Sequence, residues 1–229
     1  MRTTLSLRSE LAARFPEAFK PDQPRKHDTI STGISEVDLA TGGIPVSTLS
    51  EICGSGKTSV LISLLAHASQ EHYCALVDAK DSFDPASADT AGANFSRLLW
   101  IRCGKSKQKL PPLEQAFTTT DILLNSGGFG LVAVDLGDFS EQLVNKIPLA
   151  TWFRFARVVE RQRTALVFIE KQQHARSCAG LVINLKTSSS LLSGTLFTRL
   201  QLEVELIRTA EKKLPSSVRP TFDLRTQWA

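Results

Sequence analysis

No stretch of this 229-residue sequence approaches the roughly 20 consecutive apolar residues that a membrane-spanning helix needs. The first fifteen residues carry charges every few positions and lack the apolar block of a signal peptide, so a cytoplasmic protein is expected. Cysteine is scarce. Cys53, Cys74, Cys103 and Cys178 are spaced 21, 29 and 75 residues apart, which is neither a metal-binding cadence nor a disulfide framework. Buried thiols in a reducing compartment are the expectation. The four histidines form no ligand cluster, and there is no internal repeat or low-complexity tract. A net charge of +4 is too small by itself to imply a nucleic-acid partner.

What is present is ordinary globular composition. With 42% hydrophobic and 22% charged residues, the chain is not a disordered one. Its length suits one large α/β domain or two small ones. Three stretches separate. In residues 1–28, Leu7, Leu11, Phe15 and Phe19 recur every four positions, one face of an amphipathic helix, before a linker containing Pro21 and Pro24. That stripe either packs on its own domain or docks on a partner chain.

Residues 29–209 form the body. Apolar strand-like runs at Leu49–Cys53, Cys74–Asp78, Leu98–Arg102, Gly130–Asp135 and Ala165–Glu170 alternate with helical patterns at Thr58–Gln70, Pro85–Ala91, Leu113–Ser126 and Pro148–Arg161. Strands without polar alternation, separated by helices, predict an α/β fold with a mostly parallel sheet covered on both faces. Leu181–Leu185 and Arg199–Ile207 have no helix between them. In the second, Leu200, Leu202, Val204 and Leu206 alternate with polar residues, which predicts antiparallel edge strands. Residues 210–229 read as a basic, mostly extended tail. Lys171–Ala229 holds nine Lys/Arg against four acids, so basicity concentrates there. Non-specific DNA affinity is one consequence, and a partner-binding tail with anchors such as Trp228 is another.

Ligands of open α/β sheets bind at the carboxyl ends of the strands. At the first such end, Gly54, Ser55, Gly56, Lys57 and Thr58 stand between an apolar strand and a helical pattern. That is the setting of a phosphate-binding loop, whose amides, lysine and hydroxyl would hold ATP and Mg²⁺. The spacing departs from G-x-x-x-x-G-K-[ST]: the position five before Gly56 is Glu51, and the loop is three residues short. Fewer amides then face a β-phosphate. A second strand, Leu131 to Asp135, ends in an acid where such proteins place the carboxylate that, with Thr58, serves Mg²⁺.

Ile30-Ser31-Thr32-Gly33, Asp38, Gly42-Gly43-Ile44-Pro45 and Glu51-Ile52-Cys53-Gly54 resemble the entry into the core of RecA recombinases. Cys74 to Ala79 and Phe83-Asp84-Pro85 resemble that family's next strand. The resemblance implies a RecA-like core and an ATP–Mg site. It also exposes departures. Lys80 stands where the family has the glutamate that activates water, and Glu170-Lys171 replace its Asn-Gln sensor. Only Gln172 to Gly180 remain where recombinases carry a long DNA-binding loop. A charged lysine cannot accept a proton. With the short phosphate loop, four parts of one machine are altered, which implies an abandoned ATPase.

Within this superfamily, Asp81 to Ala88, Leu98 to Cys103, Gly127 to Val132 and Asp135-Leu136-Gly137-Asp138 resemble the ImuA group. That resemblance implies an accessory protein of SOS-induced translesion synthesis. Its partners would be an ImuB-like Y-family polymerase homologue, an error-prone polymerase and RecA. Leu7, Leu11, Phe15, Phe19 and Trp228 would be docking residues, the stripe also supporting self-association. Two alternatives stay open: a DNA-stimulated ATPase using Lys57, Thr58 and Asp135, and a regulator that binds RecA alone.

Overall fold

The computed structural model describes residues 28–104, 110–137, 139–193, 196–209 and 220–225. Leu7, Leu11, Phe15, Phe19 and Trp228 lie outside them.

A small antiparallel pair, β1 (Thr29–Ile30) and β2 (Ile44–Pro45), brackets helix α1 (Ser35–Thr41). Asp38 in α1 ties this entry together: its carboxylate accepts from the Thr32 amide at 2.9 Å, the Thr32 hydroxyl at 2.8 Å and the Ser31 hydroxyl at 2.5 Å. The main body follows as β3 (Leu49–Gly54), α2 (Lys57–Glu71), β4 (Cys74–Asp78), α3 (Pro85–Thr90), β5 (Leu98–Arg102), α4 (Pro112–Ser126) and β6 (Leu131–Asp135). Then come α5 (Glu141–Val144), α6 (Leu149–Glu160), β7 (Ala165–Glu170), β8 (Leu181–Ser193), β9 (Leu196–Arg208) and β10 (Thr221–Arg225).

One eight-stranded sheet runs in the order β10-β9-β8-β3-β7-β6-β4-β5. From β8 to β5 every pairing is parallel, while β9 and β10 add antiparallel strands at one edge. The expected fold class is therefore the observed one. Both faces of β3, β7, β6 and β4 are buried, which is why these strands show no polar alternation, while β5 at the edge leaves Leu99 exposed. On one face Ile52, Leu76, Ala133, Val167 and Ile169 pack with Val60, Leu61, Leu64 and Leu65 of α2. On the other, Leu49, Val132, Val134 and Phe168 meet α4 and α6. There Phe117, Trp152, Phe155 and Phe168 form an aromatic cluster, with Trp152 and Phe168 edge-to-face at 4.8 Å.

The structure extends the sequence reading at the edge. β8 continues through Thr187, Ser189 and Ser190, whose polarity hides a strand from a hydrophobicity argument, and its pairing with β9 shifts register between Thr187 and Ser189. In β9, Leu202 and Val204 are buried as their alternation predicts. Part of the tail is strand: Phe222 of β10 pairs with Leu202 and is buried. All four cysteines are free and buried. No helix among the described residues is long and apolar enough to cross a membrane.

Candidate functional site

β3 ends flush against β8. Gly54 sits at φ +90°, and a Cβ there would lie 2.1 Å from the Leu185 carbonyl oxygen, so only glycine fits. The next amide, of Ser55, donates to that same carbonyl at 2.9 Å. Gly56, at φ +71°, turns the chain directly into α2, which begins at Lys57. The connection is thus Ser55 and Gly56 alone.

A phosphate cradle works by curling successive amides toward the anion. Here the Ser55 amide is turned into the sheet, and no arc of loop residues remains above the helix start. Thr58 is exposed in the first turn of α2. Lys57 points across the sheet toward the end of β6: a Cβ on Gly137 would meet Lys57 Cε at 2.7 Å and Asp135 Oδ1 at 3.0 Å. Asp135, nearly buried, accepts from the Gly137 amide at 2.8 Å and lies 3.4 Å from the Ser82 hydroxyl. The structure therefore brings Lys57 and Asp135 together at Gly137. It retains the lysine and the aspartate of a nucleotide site, but these residues do not fit the full triphosphate cradle.

The neighbouring strand end is occupied by structure-forming contacts. Asp78 of β4 is fully buried and accepts from the Ser82 amide at 2.9 Å, the Phe83 amide at 3.0 Å and Trp100 Nε1 at 3.2 Å. Lys80, at the expected position of the water-activating acid, extends over the Phe139 ring with its ammonium 4.8 Å from the centroid. Asp81 stands at φ +59° and faces Arg102 at 3.6 Å, a geometry that aims it away from Asp135's partners and toward β5. Of the two acids nearest that position in the sequence, Asp81 faces Arg102, and Asp138 lies outside the described residues.

Sequence reasoning missed the polar cluster behind the loop. Glu51 of β3 and Glu170 of β7 are 0% and 1% exposed. They belong to the face that carries Phe168, opposite α2. One oxygen of Glu51 accepts from the His174 and Ala175 amides at 2.6 and 2.7 Å, pinning the β7–β8 connection to β3. One oxygen of Glu170 is bonded to Nδ1 of His174. The other oxygen of each carboxylate is buried without a protein partner.

Burial raises the pKa of Glu51 against two backbone hydrogen bonds that favour the charged form. Burial likewise pushes Glu170 up to about 7, with the His174 bond opposing and the Glu51 charge adding to the rise. For His174, burial disfavours the imidazolium, but the bond to Glu170 and the charges of Glu170 and Glu51 outweigh it and the net shift is upward. Glu170 and His174 therefore each hold a proton more tightly here than in an open chain. Burial also raises the nearby Cys53 and Cys178 thiols, so neither is a reactive thiolate. The signal was in the sequence: an acid inside each of two otherwise apolar strands, with His174 four residues after the second.

A glycine turn linking a central parallel strand to a helix that opens with Lys-Thr, and an aspartate at the end of the strand two places away, define the P-loop class of α/β proteins. Within that class, residues 20–146 match the family described as RecA N-terminal domain, and the chain belongs to it. Protein RecA of Desulfotalea psychrophila is 30% identical over 162 residues, covering 62% of this chain and 44% of its own. Protein RecA of Rickettsia canadensis is 35% identical over 114 residues, covering 47% and 31%. That of Wigglesworthia glossinidia brevipalpis is 29% identical over 164 residues, covering 63% and 47%. The chain spans less than half the length of these curated relatives.

Proposed function

We propose that this protein is a RecA-like accessory factor in DNA damage tolerance that works by recruiting other proteins rather than by turning over ATP. The observation that carries this reading is the collapsed loop: Ser55's amide is bonded into the sheet and Gly54 is wedged against Leu185, so that only the first amides at the start of α2 remain to face a β-phosphate. Lys80 on Phe139, in place of a catalytic carboxylate, points the same way. The resemblance to the ImuA group supplies the setting, SOS-induced translesion synthesis. The partners are an ImuB-like Y-family polymerase homologue, an error-prone polymerase and RecA, with non-specific DNA contact through the basic C-terminal part.

One observation favours a second reading. Lys57 and Asp135 still meet at Gly137, the pair that a weak Mg-ATP site would use together with Thr58. Calorimetric titration of Mg-ATP into the protein, with Lys57→Ala as control, separates the two. The scaffold reading expects no binding heat at high protein concentration. Micromolar binding abolished by the substitution overturns it and makes nucleotide-dependent switching or ATP hydrolysis the working reading.

A further inference from the structure

Helix α6 buries Trp152, Phe155 and Val159 against the sheet, but its outer side is not a uniformly polar one. Leu149, Phe153, Arg157 and Arg161 fall four residues apart, so they form one ridge with about 6 Å between successive members. The first two are apolar and 39% and 42% exposed. The last two are cations. This ridge borders a groove of about 640 Å³ whose lining includes Asn125 from the end of α4, Phe153, Arg154, Arg157, Val158 and Arg161.

The arginines differ. Arg154 is already engaged: its Nε lies 3.4 Å from Asp121 of α4, and its guanidinium lies 5.4 Å from the Phe155 ring centre. Arg157 and Arg161 have no carboxylate within ion-pair distance among the described residues. Their place at the helix C-terminus is favourable for the macrodipole, worth a few tenths of a kcal/mol to ~1. That explains two cations; it does not explain an exposed Phe153 and Leu149 on the same ridge, or a groove beneath them.

We propose that this groove docks an acidic peptide segment of another protein. An aromatic or aliphatic anchor seats beside Phe153 and Val158, and carboxylates one to two helical turns along reach Arg157 and Arg161. Charge complementarity fixes the class of occupant. The nearby acids, Asp121 paired with Arg154 and the exposed Glu160 three residues after Arg157, argue against a continuous phosphodiester chain. A peptide can place its carboxylates in the gaps and its anchor over the apolar half. The inference deepens the recruitment reading by giving one partner surface its chemistry. The two fail separately, because Mg-ATP calorimetry is indifferent to Arg157 and Arg161.

The test is selection of a phage-displayed library of random twelve-residue peptides on the full chain. Fluorescence anisotropy of the enriched peptides then follows on wild type, Phe153→Ala, and Arg157→Glu with Arg161→Glu. The expected result is enrichment of peptides with net negative charge and one aromatic or large aliphatic residue. Their affinity should fall at least tenfold on the double charge reversal and several-fold on Phe153→Ala, with raised salt weakening binding. All substituted side chains are exposed, and a cooperative melt lowered by no more than the lost macrodipole contribution confirms that the fold is intact. The proposal is overturned if no peptide enriches, if the enriched peptides lack acids, or if the charge reversal leaves their binding unchanged. It is also overturned if the reversal weakens a labelled twenty-nucleotide oligo-dT while sparing the peptides, which would make the ridge a nucleic-acid surface.

Discussion

Two polar regions share strand β3 and have opposite constructions. At its end, Gly54 to Thr58 are partly or fully exposed, hold almost no side-chain hydrogen bonds and fit the fold mainly through backbone contacts with Leu185. Three residues earlier, Glu51 begins a buried set in which two carboxylates, one imidazole and two amides hold β3, β7 and the β7–β8 connection together. The first stands where the P-loop class has its ligand site, and the second is internal architecture. A site that must bind phosphate keeps its amides free, whereas a site that must hold a fold directs every donor at a protein acceptor. By that criterion Ser55, whose amide goes to Leu185, has passed from the first kind to the second.

The comparison breaks most visibly at the one loop residue that is sterically committed. Gly54→Ala drives a Cβ into the Leu185 carbonyl and forces a positive φ on alanine. A loss on the order of 3 kcal/mol is expected in chemical denaturation, from combined strain and overpacking. A loss below about 1 kcal/mol would mean that the loop is free to move off β8 and that the cradle can reopen. His174→Ala is expected to cost somewhat less, on the order of 2–3 kcal/mol, because it strands Glu170 as a buried acid without its partner. If that variant is as stable as wild type, the cluster is solvated rather than architectural.

Much of this was legible before any coordinates. The parallel sheet follows from five apolar strands without alternation, and the antiparallel edge from the alternation of Leu202 and Val204 with Gln201 and Glu203. A Gly-Lys-Thr helix start and a strand ending in Asp135 were each readable from the local chain, while their approach at Gly137 depends on the order of β3, β7 and β6. Glu51, Glu170 and His174 were not assembled, because their meeting depends on β3 lying beside β7, a pairing across 123 residues between Glu51 and His174 that periodicity does not encode. Helix α1 was missed for a different reason. It has seven residues and buries only Val37, so its apolar signal is too short to show a period. That Arg157 and Arg161 meet no carboxylate among the described residues likewise depends on which acids come near them in space.

The cluster also predicts how stability varies with pH. Glu170 and His174 both have folded-state pKa values above their ordinary ones, as does Glu51. Each therefore binds its proton more tightly folded than unfolded. The stabilisation is complete below the ordinary carboxylate value for the two acids, and below the ordinary imidazole value for His174. It is lost as pH rises through the folded values, near 7 for Glu170 and above 6.5 for His174. Wild-type protein should lose stability on the order of 2 kcal/mol between pH 5 and pH 8. Glu170→Gln, which keeps a hydrogen-bonding group of the same shape, should flatten that profile. Parallel profiles for the two proteins, measured by urea denaturation across that range, would assign the pH dependence elsewhere.

The smallest expected effect is the most informative about the loop. Lys80→Glu restores a carboxylate at the position where the RecA-like pattern has one and removes an exposed ammonium from the face of Phe139. Stability should fall by about 0.5–1 kcal/mol, the worth of a solvent-exposed cation over a ring. Phosphate release from ATP, with and without single-stranded DNA, should stay at background, because an acid without an ordered triphosphate has no water to direct. The substitution separates the contribution of the acid from that of the loop. If Lys80→Glu hydrolyses ATP, the short loop still holds nucleotide and the missing acid alone silenced the site. If it does not, while it still folds cooperatively, the acid is not the sole change, and the loop where Ser55 gives its amide to the sheet and the Glu170-Lys171 position come next.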